Sequence, residues 1–214
     1  AFESHQKAAH ATETKYFDRE ILPVEAKNAE GINDMVIADE GIRFDASLDK
    51  LAGLNPVTEG GVITAGNASQ ITDGAAAVLI CNNAGLKKIQ SNPRAEIVSI
   101  SVVGDDPVFM LTGPIPASIK ALKTANLSID DIDLYEVNEA FAPVPLAWAE
   151  ELKADRSKLN VNGGAMALGH PLGATGAKLM TTLLHEMERR ESTYGLQAIC
   201  EGGGTANATI IKRL

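Results

Sequence analysis

The spacing of hydrophobic and polar residues divides the chain into two parts. From Phe2 to Thr12 small and apolar residues recur at helical spacing without glycine or proline, which predicts a helix over residues 1–16. Residues 27–68 are instead rich in glycine, asparagine, aspartate and proline, which is typical of turns and loops. A loop-rich stretch of this length is usually a functional loop or a small subdomain.

From Asp73 onward, apolar runs alternate with amphipathic helical segments. We expect strands and helices in the order βαβαβαβαββ, with short connections between them. This alternation predicts an α/β fold whose mixed, mainly parallel sheet is covered by helices and ends in an antiparallel pair. We therefore divide the chain into a loop-rich segment, residues 1–68, and a C-terminal domain, residues 69–214. The predicted segments are 73–89 (strand, then helix), 94–106 (strand), 114–127 (helix), 128–142 (ending in a short strand), 142–155 (helix), 160–164 (strand end), 173–190 (helix), 195–203 and 206–214 (strands).

Composition and charge exclude several classes of function. A hydrophobic content of 45% with 22% charged residues is ordinary for a globular protein of 214 residues. The net charge of −9 argues against a nucleic-acid partner. No apolar run reaches the ~20 residues of a membrane span, and no signal peptide is apparent, so we expect a cytoplasmic protein. The chain begins without methionine and in mid-pattern, which suggests a piece of a longer protein.

The two cysteines form no disulfide framework, and we expect no metal site. Cys81 lies in an apolar run, which predicts a buried, unreactive thiol. Cys200 instead precedes three glycines at a predicted strand end.

Three polar stretches follow predicted strands, and they bring Asn138, His170 and Cys200 to one edge of the sheet. Histidine exchanges protons near neutral pH, and a thiol can act as a base or nucleophile. Glycine N–H groups beside the thiol can hold a developing oxyanion. Each residue also has a purely structural alternative: Asn138 as a helix cap, His170 as a turn residue, and the glycines as a hairpin turn.

Taken together and in this order, these stretches resemble the C-terminal half of a thiolase. The matching segments are TAGNASQITDGAAAVL, GPIPASIKALKTANLSIDDIDLYEVNEAFA, NVNGGAMALGHPLGATGAKL and CEGGGTANATII. The combination of NEAF, GHP and CxGGG is specific, and the resemblance covers nearly the whole chain. Residues 1–68 are similar to the end of the family's loop domain.

The resemblance implies catalytic roles for four residues. His170 would activate a nucleophilic cysteine and contribute to an oxyanion hole, in which Asn138 would position a water. Cys200 would be the acid/base that exchanges a proton with the substrate α-carbon or the leaving thiol. The backbone N–H of Gly202 would hold the oxyanion of the acylated nucleophile.

The resemblance also implies a ligand, coenzyme A (CoA), which is a substrate rather than a tightly bound cofactor. Ser69 would bind its pantetheine arm, Ala68 and Phe141 would line the tunnel, and Arg43 would contact its nucleotide end. The implied reaction is the CoA-dependent cleavage of a 3-ketoacyl-CoA, as in β-oxidation, or the reverse Claisen condensation.

The chain departs from the family pattern because the half that carries the acyl-accepting cysteine is absent. Cys81 does not match that motif, so we expect this chain alone to be inactive. Its expected partners are acyl-CoA, CoA and the missing N-terminal half or a companion chain, in a homo-oligomer. Two alternatives stay open: a CoA-binding or assembly module that works with another chain, and a ketoacyl synthase, which Cys200 argues against.

Overall fold

A computed structural model describes residues 1–28 and 30–214. The elements comprise short 3₁₀ turns at Ile129–Asp131, Arg156–Lys158 and Gly202–Gly204 and the following helices and strands: α1 (Phe2–Glu13), β1 (Val24–Lys27), β2 (Asn33–Val36), α2 (Leu48–Ala52), α3 (Asn83–Ile89), β3 (Ala95–Gly104), α4 (Pro114–Ala125), β4 (Leu134–Val137), α5 (Pro143–Leu152), α6 (Ala165–Leu168), α7 (Thr175–Arg190), β5 (Tyr194–Cys200) and β6 (Thr205–Arg213). Pro114 and Pro143 each open a helix, where the missing N–H of proline costs nothing.

The larger sheet has the strand order β3-β6-β5-β4. A mixed sheet covered by helices and the final antiparallel pair, β5 and β6, are confirmed. Parallel pairing does not dominate as the pattern suggested, because β4·β5 is parallel whereas β3·β6 and β5·β6 are antiparallel. The predicted strand end at residues 160–164 provides only an isolated bridge between Val161 and Gly163.

Helices cover both faces of this sheet. On one face α4 and α5 bury Trp148 with Tyr135 and Val137 of β4. On the other face α7 packs Leu183 and Met187 against Leu134. Successive side chains along a strand point to opposite faces of the sheet. Glu136 lies between Tyr135 and Val137, so its side chain points to the other face, toward α7.

The N-terminal helix joins this domain through its apolar face. In α1, Ala8 and Ala11 pack with Ala167 and Leu168 of α6 and with the buried Phe17. The helix ends at Glu13, a turn earlier than predicted. The antiparallel hairpin of β1 and β2 that follows is exposed at every position.

The predicted strand that begins at Asp73 is wrong for this chain. Residues 70–82 run without strand pairing among the described residues, and the chain becomes helical only at Asn83. Apolar side chains of this segment face solvent, with Leu79 77% exposed. The prediction of a buried Cys81 is wrong for the same reason, since its thiol is exposed. A strand needs a neighbour for its N–H and C=O groups, and an apolar run alone does not supply one.

Of the helices in the described ranges, none combines the length and apolar character needed to cross a membrane.

Candidate active site

Asn138 and His170 meet at the edge of the sheet where β4 and β5 end. The backbone N–H of Asn138 donates to Ala198 O at 3.0 Å, which fixes it beside β5. Its fully buried side chain places Nδ2 3.3 Å from Nε2 of His170. The helix-cap alternative for Asn138 is excluded, because Ala142 is the N-cap of α5.

The loop after α6 is held in one position so that His170 reaches this edge. Gly169 has a φ of +82°, and a Cβ there would lie 2.4 Å from the hydroxyl oxygen of Thr72. Only glycine fits such a backbone without strain. The N–H of His170 donates to Gln70 O at 3.1 Å, and the amide of Gln70 donates to Gly41 O at 2.8 Å. Gly169 and the hydrogen bonds through Gln70 therefore fix the backbone of His170.

Hydrogen bonding determines which nitrogen of His170 carries the proton. The Thr175 hydroxyl donates to Pro171 O at 2.9 Å, so it accepts from His170 Nδ1–H at 2.6 Å. Neutral imidazole carries one N–H, so Nε2 is left with its lone pair toward Asn138. Burial lowers the pKa of His170. The ring is thus a neutral base whose free nitrogen points into the site.

Cys200 ends β5, one strand away from Asn138 in the parallel pair of β4 and β5. Its thiol is buried in the apolar core, and burial raises its pKa, with a smaller contribution from Glu201. The group is therefore held as the thiol, which can give a proton, and its thiolate is a stronger base than an ordinary one.

The three glycines after Cys200 differ in backbone conformation and in the space around them. Gly203 and Gly204 have φ values of +75° and +85°, and a Cβ on Gly204 would lie 2.7 Å from Asp105 O. A Cβ on Gly202 would meet no atom within 4 Å. Gly202 therefore borders open space, where its backbone can be approached closely.

The residues predicted to contact CoA are divided by the structure. Ala68 and Phe141 form a β-bridge, and the N–H of Ser69 donates to Ala140 O at 2.9 Å. These three lie together, and Phe141 follows Asn138 by three residues in the chain. Arg43 lies elsewhere: it is exposed, and its backbone N–H donates to His5 of α1 at 3.1 Å.

An open cleft of about 460 Å³ lies beside the loop that follows His170. It is lined by residues 72–76 on one side and 171–174 on the other. The first of these runs belongs to the segment that lacks strand pairing among the described residues.

The sequence did not point to Thr175 or to the structural role of Glu139. The buried carboxylate of Glu139 accepts from Ser4 Oγ at 2.7 Å, Asn160 Nδ2 at 3.1 Å and Met166 N–H at 3.2 Å. It thereby joins α1, the Asn138 loop and α6. For Thr175, the available signal was a hydroxyl at the start of a helix, five residues after the histidine.

Comparison with known families accounts for most of the chain. Residues 91–213 match the model of the thiolase C-terminal domain, and residues 1–84 match that of the thiolase N-terminal domain. Residues 85–90 lie between the two matched ranges.

Similar proteins and structures belong to the same group. The chain is 56% identical over 211 residues to the steroid 3-ketoacyl-CoA thiolase FadA6 of Mycobacterium tuberculosis, covering 99% of this chain and 50% of that protein. It is 45% identical to the acetyl-CoA acetyltransferase of Synechocystis, with 99% and 53% covered. The crystal structure of human mitochondrial 3-ketoacyl-CoA thiolase superposes with a TM-score of 0.95 at 45% identity, covering 99% and 53%. The chain thus spans about half the length of the relatives it matches.

Proposed function

Because this chain belongs to the thiolase family, we propose that it supplies the acid/base half of an acyltransferase acting on 3-ketoacyl-CoA. The observation that carries the proposal is the pairing of His170 with Asn138 at the sheet edge where the buried Cys200 also ends. The acyl-accepting cysteine comes from the half that precedes this chain in a thiolase. Together, this chain and that half are called the intact protein below.

In the direction of cleavage, Nε2 of His170 takes the proton of the nucleophilic cysteine. The resulting thiolate attacks the 3-keto carbon. The new Nε2–H, with a water that Asn138 would position, faces the negative charge that develops on the thioester oxygen of the departing acetyl-CoA. The bond between the α-carbon and the keto carbon then breaks. Its electron pair stays on the α-carbon of acetyl-CoA, which takes the proton of the Cys200 thiol.

The second half-reaction returns both groups to their starting states. The thiol of an incoming CoA gives its proton to the Cys200 thiolate, and its sulfur takes the acyl group from the nucleophile. The freed nucleophile regains its proton from His170. The N–H of Gly202 stabilises the oxyanion of this step, and Ser69, Ala68 and Phe141 hold the pantetheine arm, with Arg43 at the nucleotide end.

This chain alone does not complete the catalytic cycle, because neither of its two cysteines serves as the acyl-accepting nucleophile. Cys200 has the acid/base role, and Cys81 lies on the exposed, unpaired segment. We infer that the preceding half, in the same polypeptide or a companion chain, covers that segment and supplies the nucleophile, and that the intact protein is a homo-oligomer. CoA enters as substrate, and the assignment includes no tightly bound cofactor.

A thiolysis assay on the intact protein tests the proposal. Acetoacetyl-CoA and a longer 3-ketoacyl-CoA are each mixed with CoA, and loss of the ketoacyl absorbance is followed. We expect CoA-dependent cleavage of at least one substrate, and a fall of about 100-fold or more in His170→Ala. His185→Gln, a histidine on α7 outside the site, serves as the control. Equal rates in His170→Ala and the parent would overturn the assignment.

The CoA-binding module that the sequence left open has a separate test. Equilibrium dialysis of the 214-residue chain with CoA asks whether this half binds alone. Binding by the chain, combined with an intact protein that shows no thiolysis, would favour the module over the enzyme.

A further inference from the structure

A small cavity lies between β4 and α7 and is bordered by Thr175. Its volume is about 10 Å³, close to the space that one water molecule requires. The lining residues with polar side chains are Glu136, Thr175, Lys178 and Thr182. Thr175 therefore borders the cavity and also holds His170.

Glu136 brings an unpartnered oxygen to this cavity. Its side chain is 2% exposed, and its Oε2 has no hydrogen-bond partner in the described part of the chain. Burial raises the pKa of Glu136 well above its ordinary value, and the carboxylates of Glu139, Glu20 and Glu186 raise it further, opposed by Lys7. This direction favours the protonated carboxyl group, which offers an O–H donor rather than a negative charge.

The other polar groups of the lining already donate elsewhere. The ammonium of Lys178 donates to Leu168 O and lies 3.5 Å from Asp39. The Thr182 hydroxyl donates to Glu20 at 3.3 Å.

The Thr175 hydroxyl can accept one more hydrogen bond. Its hydroxyl donates to Pro171 O and accepts from His170. A hydroxyl oxygen carries two lone pairs, so one of them stays open. A water in the cavity could accept from Glu136 and donate to this lone pair.

We propose that Glu136 is a positioning residue for His170, acting through one buried water that Thr175 also binds. The water donates to the second lone pair of the Thr175 hydroxyl. The hydroxyl therefore keeps donating to Pro171 O, and its first lone pair keeps accepting from Nδ1–H of His170. The His170 tautomer that carries its proton on Nδ1 and none on Nε2 is thereby stabilised through its Nδ1 side. The inference rests on the proposed function only for the role of His170 as a base.

The test uses four variants of the intact protein and a fifth as control. Glu136→Gln keeps a neutral donor of similar shape, and Glu136→Leu removes it. Thr175→Val removes the hydroxyl that receives the bond, and the double variant Glu136→Leu/Thr175→Val measures coupling. Glu20→Leu is the control, because it makes the same change at a neighbouring buried carboxyl bonded to Thr182. Nitrogen NMR of labelled histidine reads the tautomer and the pKa of His170, and the pH profile of thiolysis reads its function.

We expect Glu136→Gln to keep the His170 tautomer and to hold the rate within about twofold of the parent. Glu136→Leu should lower the Nδ1–H fraction and the pKa of His170, and slow thiolysis about tenfold, the effect of one lost hydrogen bond. The double variant should be little worse than Thr175→Val alone. Glu20→Leu should leave the His170 signals unchanged.

Three results would overturn the proposal. They are an unchanged His170 spectrum in Glu136→Leu, additive effects in the double variant, and a crystal structure of the intact protein with no ordered water between Glu136 and Thr175. The NMR readout does not require turnover. An intact protein that fails as a thiolase but shows the predicted tautomer change would refute the proposed function and leave the positioning role standing.

Discussion

Glu20 offers a stability prediction whose size follows from its surroundings. Its side chain lies against α7, where Oε1 accepts from Thr182 and Oε2 has no hydrogen-bond partner among the described residues. The pKa of Glu20 is raised from 4.5 to about 7. Burial is the largest cause, and the Asp39 and Glu186 carboxylates raise the pKa further. His185 lies 3.5 Å away, but burial lowers its own pKa, so it offers little positive charge. We predict that Glu20→Gln stabilises the protein at alkaline pH.

The sign follows from proton binding. Between pH 4.5 and about 7 the folded state holds the Glu20 proton more tightly than the unfolded state, so stability falls as the pH rises through this window. The rise in pKa is worth about 3 kcal/mol at about 1.36 kcal/mol per pH unit. Glutamine does not titrate and avoids this loss. The gain of Glu20→Gln should be below about 1 kcal/mol at pH 5 and about 3 kcal/mol at pH 8.

Urea unfolding of the two proteins at pH 5, 6, 7 and 8 measures this difference. Glu13→Gln, at an exposed position of α1, should stay within about 0.5 kcal/mol of the parent at every pH. A gain from Glu20→Gln that is constant with pH, or a loss at pH 8, would refute the reasoning.

Three further outcomes concern the glycine turn, the cysteines and the association state of the chain. Gly204→Ala should cost about 2 kcal/mol or more, because of its φ of +85° and the contact with Asp105 O, whereas Gly202→Ala should cost less than about 1 kcal/mol; equal losses in thermal unfolding would contradict this. In the 214-residue chain Cys81 should react with a thiol reagent much faster than the buried Cys200, and the preceding half should protect it; equal rates would count against the exposed segment. The same chain should self-associate in sedimentation, because Ile100 and Val102 of β3 are 58% and 60% exposed and Leu79 is 77% exposed, and a monodisperse monomer at micromolar concentration would exclude this.

The sequence was most informative where chemistry and backbone geometry coincide. A histidine after a glycine, an asparagine at a strand end and a cysteine before a glycine turn were recognisable as motifs, and the structure brings Asn138 and His170 into contact. Prolines at the starts of α4 and α5 likewise marked helix starts, because their effect is local.

Features that depend on distant partners were less visible. The apolar run after Asp73 has the composition of a strand, yet pairing depends on a neighbour that the described residues do not provide. The direction of pairing in the sheet was misjudged because helix–strand alternation does not determine where β6 inserts, and β6 lies between β3 and β5. Thr175 and Glu136 carry no motif of their own. Their importance arises from a shared cavity between residues almost 40 positions apart.

Acyl transfer to the intact protein, separated from carbon–carbon bond chemistry, tests the central assignment most directly. The parent, Cys200→Ala and His170→Ala are each incubated with acetyl-CoA, and protein mass is measured alongside exchange of the acetyl protons with deuterated water. We predict that Cys200→Ala loses proton exchange and gains its one acetyl group more slowly than the parent, because its nucleophile and His170 are intact while the group that exchanges the α-proton and protonates the leaving CoA is gone. His170→Ala should be acetylated far more slowly than the parent. A Cys200→Ala protein that still exchanges the acetyl protons at the parental rate would contradict the role of Cys200 and, with it, the account of this half of the enzyme.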